Sequence, residues 1–265
     1  MGSQGNILDA AALFGAAADQ GLVSAQTHRA LTVVDMGAQI QAALGTPPDL
    51  IEATEQFLVA LELDDSSSIR FAGNEPVVRT GVTEVVKALG GAKAAEGILM
   101  LIHKLNSGLL CPFTPIRDVP PITTQNYSCS GDTPLNDRVF EILSTVLAKQ
   151  MQVNQTGAQV RTATLIVSDG ANNASRRGAA EVKKLVTDLL KAECHIVAAM
   201  GIDDGATDFR QVFSEMGIPD SWILTPANNP TEIRRAFNLF SRSSVQASQG
   251  AASFSKTNTQ GFQAP

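Results

Sequence analysis

Residues 57–70, FLVALELDDSSSIR, limit what this chain can fold into more than any other stretch. Residues 57–63 are mostly apolar and contain no Gly or Pro, the length and polarity of a strand buried on both faces in a helix-covered sheet. The run stops at Asp64, where five consecutive oxygen-bearing side chains begin: Asp64, Asp65, Ser66, Ser67 and Ser68. In open α/β sheets the carboxyl ends of the strands form the edge at which ligands bind.

The remaining chain extends this pattern. Residues 75–89 carry Val78, Val82, Val85, Val86 and Leu89 at helical spacing and close on Gly90-Gly91, which predicts a helix. Strands are predicted at 98–105 and 108–115. The turn Asn106-Ser107-Gly108 between them is too short for a crossover, so these two strands must run antiparallel. Residues 116–132 form a long Pro/Thr/Asn-rich loop, of the kind that usually serves function. After it come a helix from Pro134 to about Met151, with Thr133 just before it, and an apolar strand at 161–168 that ends on Asp169-Gly170. Helix 178–192, strand 195–202, helix 206–216, strand 221–224 and helix 231–240 then alternate, which implies right-handed crossovers. The fold class is therefore α/β: a doubly wound, mostly parallel sheet with one antiparallel edge strand, preceded by an N-terminal helical arm.

The arm, residues 1–54, is rich in Ala, Leu and Gln. It is expected to hold two helices between 7 and 45, with Ser24 capping the second and Gly45 ending it. It would pack as an extra layer, cover a sheet edge or meet a partner, the first being favoured. The sheet domain would span 55–243. From Ser241 the chain is dominated by Ser, Gln, Ala, Gly and Asn, so the polar tail, 244–265, is expected to be mobile.

Composition excludes several functions. A net charge of −6 over 265 residues, with basic residues no denser than the pairs Arg176-Arg177 and Arg234-Arg235, argues against nucleic acid as a partner. Cys111, Cys129 and Cys194 are odd in number and widely spaced, so neither a disulfide framework nor a zinc site is indicated. They are expected to be reduced. No run approaches the roughly 20 apolar residues that a membrane-spanning helix needs, and no targeting segment leads the chain. A cytoplasmic protein without membrane contact is expected. Gly2 resembles a lipid-acceptor start, but Asn6 stands where that signal has Ser or Thr.

Three separate pieces deliver oxygen donors to one sheet edge: Asp64-x-Ser66-x-Ser68, Thr133 and Asp169. Carboxylates and hydroxyls without His or Cys suit a hard cation. Mg²⁺ is the natural choice, with Mn²⁺ or Ca²⁺ as alternatives. Each piece alone is also ordinary turn or cap chemistry, and their joint occurrence in this order carries the weight. His28, His103 and His195 have no catalytic spacing, and no nucleophile elbow is present.

These segments, with Gly-Asp-Thr133-Pro-Leu and Val-Ser-Asp169-Gly, resemble the metal-ion-dependent adhesion site of von Willebrand factor type A (vWA) domains over about residues 55–243. The close of the domain, 237–245 (FNLFSRSSV), resembles bacterial vWA proteins of the tellurium-resistance type. The resemblance implies that Ser66 and Ser68 bind the metal directly, that Asp64, Thr133 and Asp169 bind directly or through water, and that a partner's Asp or Glu takes the last position. That partner would contact Thr133 and the loops around Asn126 and Asn172. The resemblance further implies a non-enzymatic interaction module, a subunit of a bacterial stress-response or conflict complex. The N-terminal helices are expected to give a second, metal-independent contact, either by self-association with another copy or with a different subunit. Ser67 and Ile69 stand where family members often have Gly and Met, and Asp65 and Asp132 would add negative charge near the site. The alternative is a Mg²⁺-dependent phosphohydrolase of the haloacid-dehalogenase type, in which a second acid would occupy the position of Ser66.

Overall fold

The computed structural model describes residues 9–32, 36–51, 53–170 and 172–262. Ile7, Leu8, the Gly2 start and the last three residues lie outside them. Six strands, β1 (Glu55–Leu63), β2 (Ile98–Lys104), β3 (Gly108–Pro115), β4 (Gln159–Ser168), β5 (His195–Gly201) and β6 (Ile223–Leu224), form one sheet in the order β3-β2-β1-β4-β5-β6. All neighbours are parallel except β2 and β3. The fold is thus a vWA/Rossmann-like α/β sheet with one antiparallel edge strand, as the short 106–108 turn requires.

The chain first moves outward from β1 through β2 to β3, then restarts on the other side of β1 with β4. The order therefore reverses between β1 and β4, and the crevice beyond their carboxyl ends is the switch point at which such sheets bind ligands. Leu63 pairs with Val167 there. Asp64 and Asp169 leave the two strands side by side.

Both faces are covered, which is why β1, β2, β4 and β5 read as near-continuous apolar runs. On one face α5 (Glu75–Gly90) packs against α9 (Pro230–Ala247). Gly81 permits their close approach, because a Cβ there would fall within 2.2 Å of the Phe237 ring. On the other face α6 (Leu135–Asn154) and α7 (Ala179–Lys191) lie over β1, β4 and β5. A shorter helix, α8 (Phe209–Glu215), follows β5.

The described residues of the arm hold three α-helices where two were expected: α1 (Ala10–Asp19), α2 (Ala25–Thr32) and α3 (Gly37–Ala43). They form an outer layer on α6 and α7, with Leu13, Phe14, Leu31 and Ile40 buried. Ser24 acts as the expected cap, accepting from Thr27 N at 3.2 Å. Asp188 of α7 holds this turn down, accepting from Ser24 N, Ser24 Oγ and Thr27 Oγ1. Downstream of α3, Thr46 donates through N and Oγ1 to the Phe113 carbonyl on edge strand β3, which also carries Pro112 and Pro115.

The segment expected to be a mobile tail is ordered. Helix α9 continues to Ala247, and α10 (Ala251–Gln260) folds back onto the domain. Phe254 is buried edge-on against Phe57 at 6.4 Å, and Phe262 meets Trp222 at 4.8 Å. Trp222 Nε1 donates to the Asn258 carbonyl. The polar composition hid a helix whose docking relies on two aromatics, Phe254 within it and Phe262 just beyond its end. Phe254→Ala is expected to remove the amide-exchange protection of 251–260 while leaving that of β1 and β4 unchanged, because the change frees a peripheral helix. Equal protection in both proteins would refute this anchoring role.

Candidate metal centre

The site is built from the ends of β1 and β4 and the loops that follow them. Asp64 N donates to Val167 O, continuing the strand ladder one residue past β1 and fixing the direction of its side chain. The fully buried carboxylate then accepts from Ser66 N at 2.8 Å through Oδ1 and from Ser168 Oγ at 2.6 Å through Oδ2. Its carbonyl accepts from the hydroxyl of Tyr127, the only tyrosine in the chain. Asp64 thus acts as the post around which the Ser loop turns.

Ser66 occupies the N-cap position of a short helix, α4 (Ser67–Phe71), but its side chain makes no capping bond. The hydroxyl lies instead 2.8 Å from Ser68 Oγ, which donates to Asp169 Oδ1 at 2.6 Å. Ser66, Ser68 and Asp169 therefore form a continuous line of oxygens across the switch point. Gly170 makes room beside it, since a Cβ there would sit 3.3 Å from Thr133 Oγ1 and 3.6 Å from Ser68 Oγ. Thr133 is held by two bonds to Asn173, N to Oδ1 at 2.8 Å and O from N at 3.1 Å. Among the described residues its hydroxyl makes no hydrogen bond. The structure brings Asp64, Ser66, Ser68, Thr133 and Asp169 to one place.

These residues fit a hard divalent cation. The Asp169 carboxyl is pushed up to about 6, first by burial and then by the charges of Asp64 and Asp204. Burial also raises Asp64, against the hydrogen bonds from Ser168 and Ser66. A nearby cation relieves both effects by favouring the ionised forms. Among the described residues no group of three or more His, Cys, Asp and Glu is placed to hold a metal ion, so the donor set is two carboxylates completed by hydroxyls. Ser66, Ser68 and Asp169 would hold the ion, Thr133 would face it, and Asp64 would act behind Ser66 because both its oxygens are already engaged. A bound cation would offer positive charge to an incoming carboxylate.

The neighbouring side chains hold the loops around the site. Asp65 directs its carboxylate to the β2–β3 turn, which it caps, accepting from Asn106 N at 2.7 Å, from Ser107 N at 3.0 Å and from Ser107 Oγ. Successive residues at a strand end point to opposite sides, so Asp64 and Asp65 separate. Ser67 ties the loop to Gly131 through N and Oγ. Asn126 is committed to its own loop, accepting from Thr123 N and donating to Pro121 O, and Asn172 Oδ1 accepts from Asn136 N at 3.4 Å. The sequence reading missed Ser168, Tyr127, Asn173 and Asp204. Ser168 was signalled by a polar residue ending an apolar strand, and Asp204 by a third acid after a third strand.

No family model and no curated protein matches this chain. Solved structures do. It is similar to proximal thread matrix protein 1 from the mussel byssus, at 20% identity and a TM-score of 0.50, covering 70% of this chain and 47% of that one. It is also similar to the pilus adhesin SpaC of Lactobacillus rhamnosus GG in its open conformation, at 13% identity and a TM-score of 0.55, covering 72% and 30%. The chain thus spans about half the length of the first and under a third of the second. At these identities the likeness is one of fold.

Proposed function

We propose that this protein is a metal-dependent protein-interaction module in which Mg²⁺, held by Ser66, Ser68, Asp169 and Thr133 with Asp64 behind them, captures an Asp or Glu of a partner protein. One observation carries the reading: the line of oxygens Ser66–Ser68–Asp169, with the unbonded Thr133 hydroxyl beside it, lies at the switch point of the sheet. The resemblance of these segments to the vWA adhesion site supports it, as does the fold shared with a pilus adhesin. The module is non-catalytic. Ser66 stands where a phosphohydrolase would have its second acid, and a serine hydroxyl does not supply that carboxylate's proton-transfer role.

The finer assignment rests on analogy. We place the protein in the bacterial cytoplasm, as a subunit of a stress-response or conflict complex, on the strength of 237–245 and of three free cysteines, two of them buried. The N-terminal helices would give a second, metal-independent contact with another copy or a different subunit. Among the described residues no helix is long and apolar enough to cross a membrane.

The test is affinity capture from the native cell with and without EDTA, using wild type and Thr133→Ala. Adhesion-site partners are expected to disappear in both the chelated and the mutant samples, while partners of the arm remain. An identical set of proteins under every condition, or metal-dependent turnover of p-nitrophenyl phosphate, would overturn the proposal.

A further inference from the structure

The helix that supplies Ser68 also presents an apolar side chain to solvent. Phe71, at the end of α4, is 80% exposed, and Leu50 is the other large hydrophobic so exposed among the described residues. Phe71 follows Ser68 by three positions, so the two share one face of this helix, with Cβ atoms about 5–6 Å apart at that spacing. Folding does not need Phe71 there, because Ile69 is the α4 side chain that enters the core. Its neighbour Arg70 sets its guanidinium over the Phe71 ring at 5.3 Å, within the range at which a cation is attracted to an aromatic face. Ala72 and Gly73 extend the exposed strip.

Charge divides the rim of the site. Asp203 and Asp204, exposed after β5, lie on the Asp169 side, where Asp204 already acts on the Asp169 carboxyl. Asp132, exposed, precedes Thr133. The α4 side carries Arg70. An acidic segment is repelled by the first flank and attracted by the second, and an exposed aromatic beside a desolvated polar contact is the usual anchor of a small interface.

We infer that the partner segment crosses α4, placing an apolar or aromatic side chain adjacent to its metal-bound Asp or Glu on Phe71, with Arg70 taking a second carboxylate or a carbonyl beside it. This rests on the metal-dependent reading above and adds a specificity surface to it. The partner motif is then an acid flanked by a large apolar residue, rather than an acidic run.

The test uses a phage-displayed library of cyclic peptides containing one fixed Asp, selected on the full chain in Mg²⁺ and eluted with EDTA. Selected peptides are expected to be enriched in Phe, Tyr, Trp or Leu within two positions of the Asp. They should bind Phe71→Ser about tenfold or more weakly and Arg70→Gln several-fold more weakly, while Mg²⁺ affinity measured by calorimetry stays unchanged in both variants. EDTA-eluted peptides without that enrichment, or with equal affinity for Phe71→Ser, would overturn the inference and leave the metal-dependent reading standing. A selection that yields no EDTA-eluted peptides would overturn both.

Discussion

Asp169→Ala is expected to abolish measurable Mg²⁺ binding in calorimetry, whereas wild type binds with a stoichiometry near one. Asp169 is the carboxylate that ends the line of oxygens and has only a serine hydroxyl on Oδ1, so its loss removes half the negative charge of the site. Asp64→Ala should do the same by another route, since Asp64 holds both the Ser66 amide and the Ser168 hydroxyl. Ser168→Ala leaves every proposed ligand in place and removes only the group that orients Asp64. Changes of that kind cost about 10–100-fold in metal affinity. Asp65→Ala is the control: its carboxylate serves the β2–β3 turn, so stability should fall while Mg²⁺ affinity stays as in wild type. Unchanged affinity in Asp169→Ala would remove the site assignment, and a large loss in Asp65→Ala would assign the wrong acid of the pair.

Acid should destabilise the protein through His195 well before its carboxylates account for the loss. His195 lies on β5, fully enclosed, with Nδ1 2.8 Å from Thr162 Oγ1 on β4. Burial pushes its imidazole down to about 4 from an ordinary 6.5. Between these values the unfolded chain binds a proton that the folded chain refuses, so the stabilisation is complete above pH 6.5 and is lost as pH falls toward 4. The shift corresponds to roughly 3 kcal/mol. His195→Asn, which retains a polar atom for Thr162, should flatten this part of the curve even if it lowers stability at neutral pH. The check is urea denaturation of both proteins at pH 7 and pH 4.5. Because the other titrating groups are common to both, the difference of differences isolates the histidine, and parallel losses would show that it does not titrate as argued.

The sheet was legible because each central strand is buried on both faces and needs an unbroken apolar run, and the antiparallel edge followed from a turn too short for anything else. The oxygen donors were legible because they terminate those runs. Helix α4 was not, since five residues beginning Ser-Ser read as a turn until the tertiary structure fixes Asp64 and Gly131 around them. Helix α10 was hidden for a different reason. Its Ser, Thr, Asn and Gln residues carry no burial signal, and Phe254 alone does not make a period. Tyr127 and Asn173 support the site through long-range contacts with Asp64 and Thr133, and no local pattern announces a contact across 63 residues.

The edges of the sheet bear on how this protein behaves when crowded. A parallel sheet that ends in an open strand invites a second chain to add to it, and this is a common start of aggregation. Here β6 has two residues, while β3 has lost two amide donors to Pro112 and Pro115 and has the Phe113 carbonyl engaged by Thr46. Little backbone remains for a neighbouring molecule to pair with. Pairing of sheet edges between copies of this chain is thereby disfavoured, and any order among crowded copies must be set by side chains on the helical faces or at the carboxyl ends of β1 and β4.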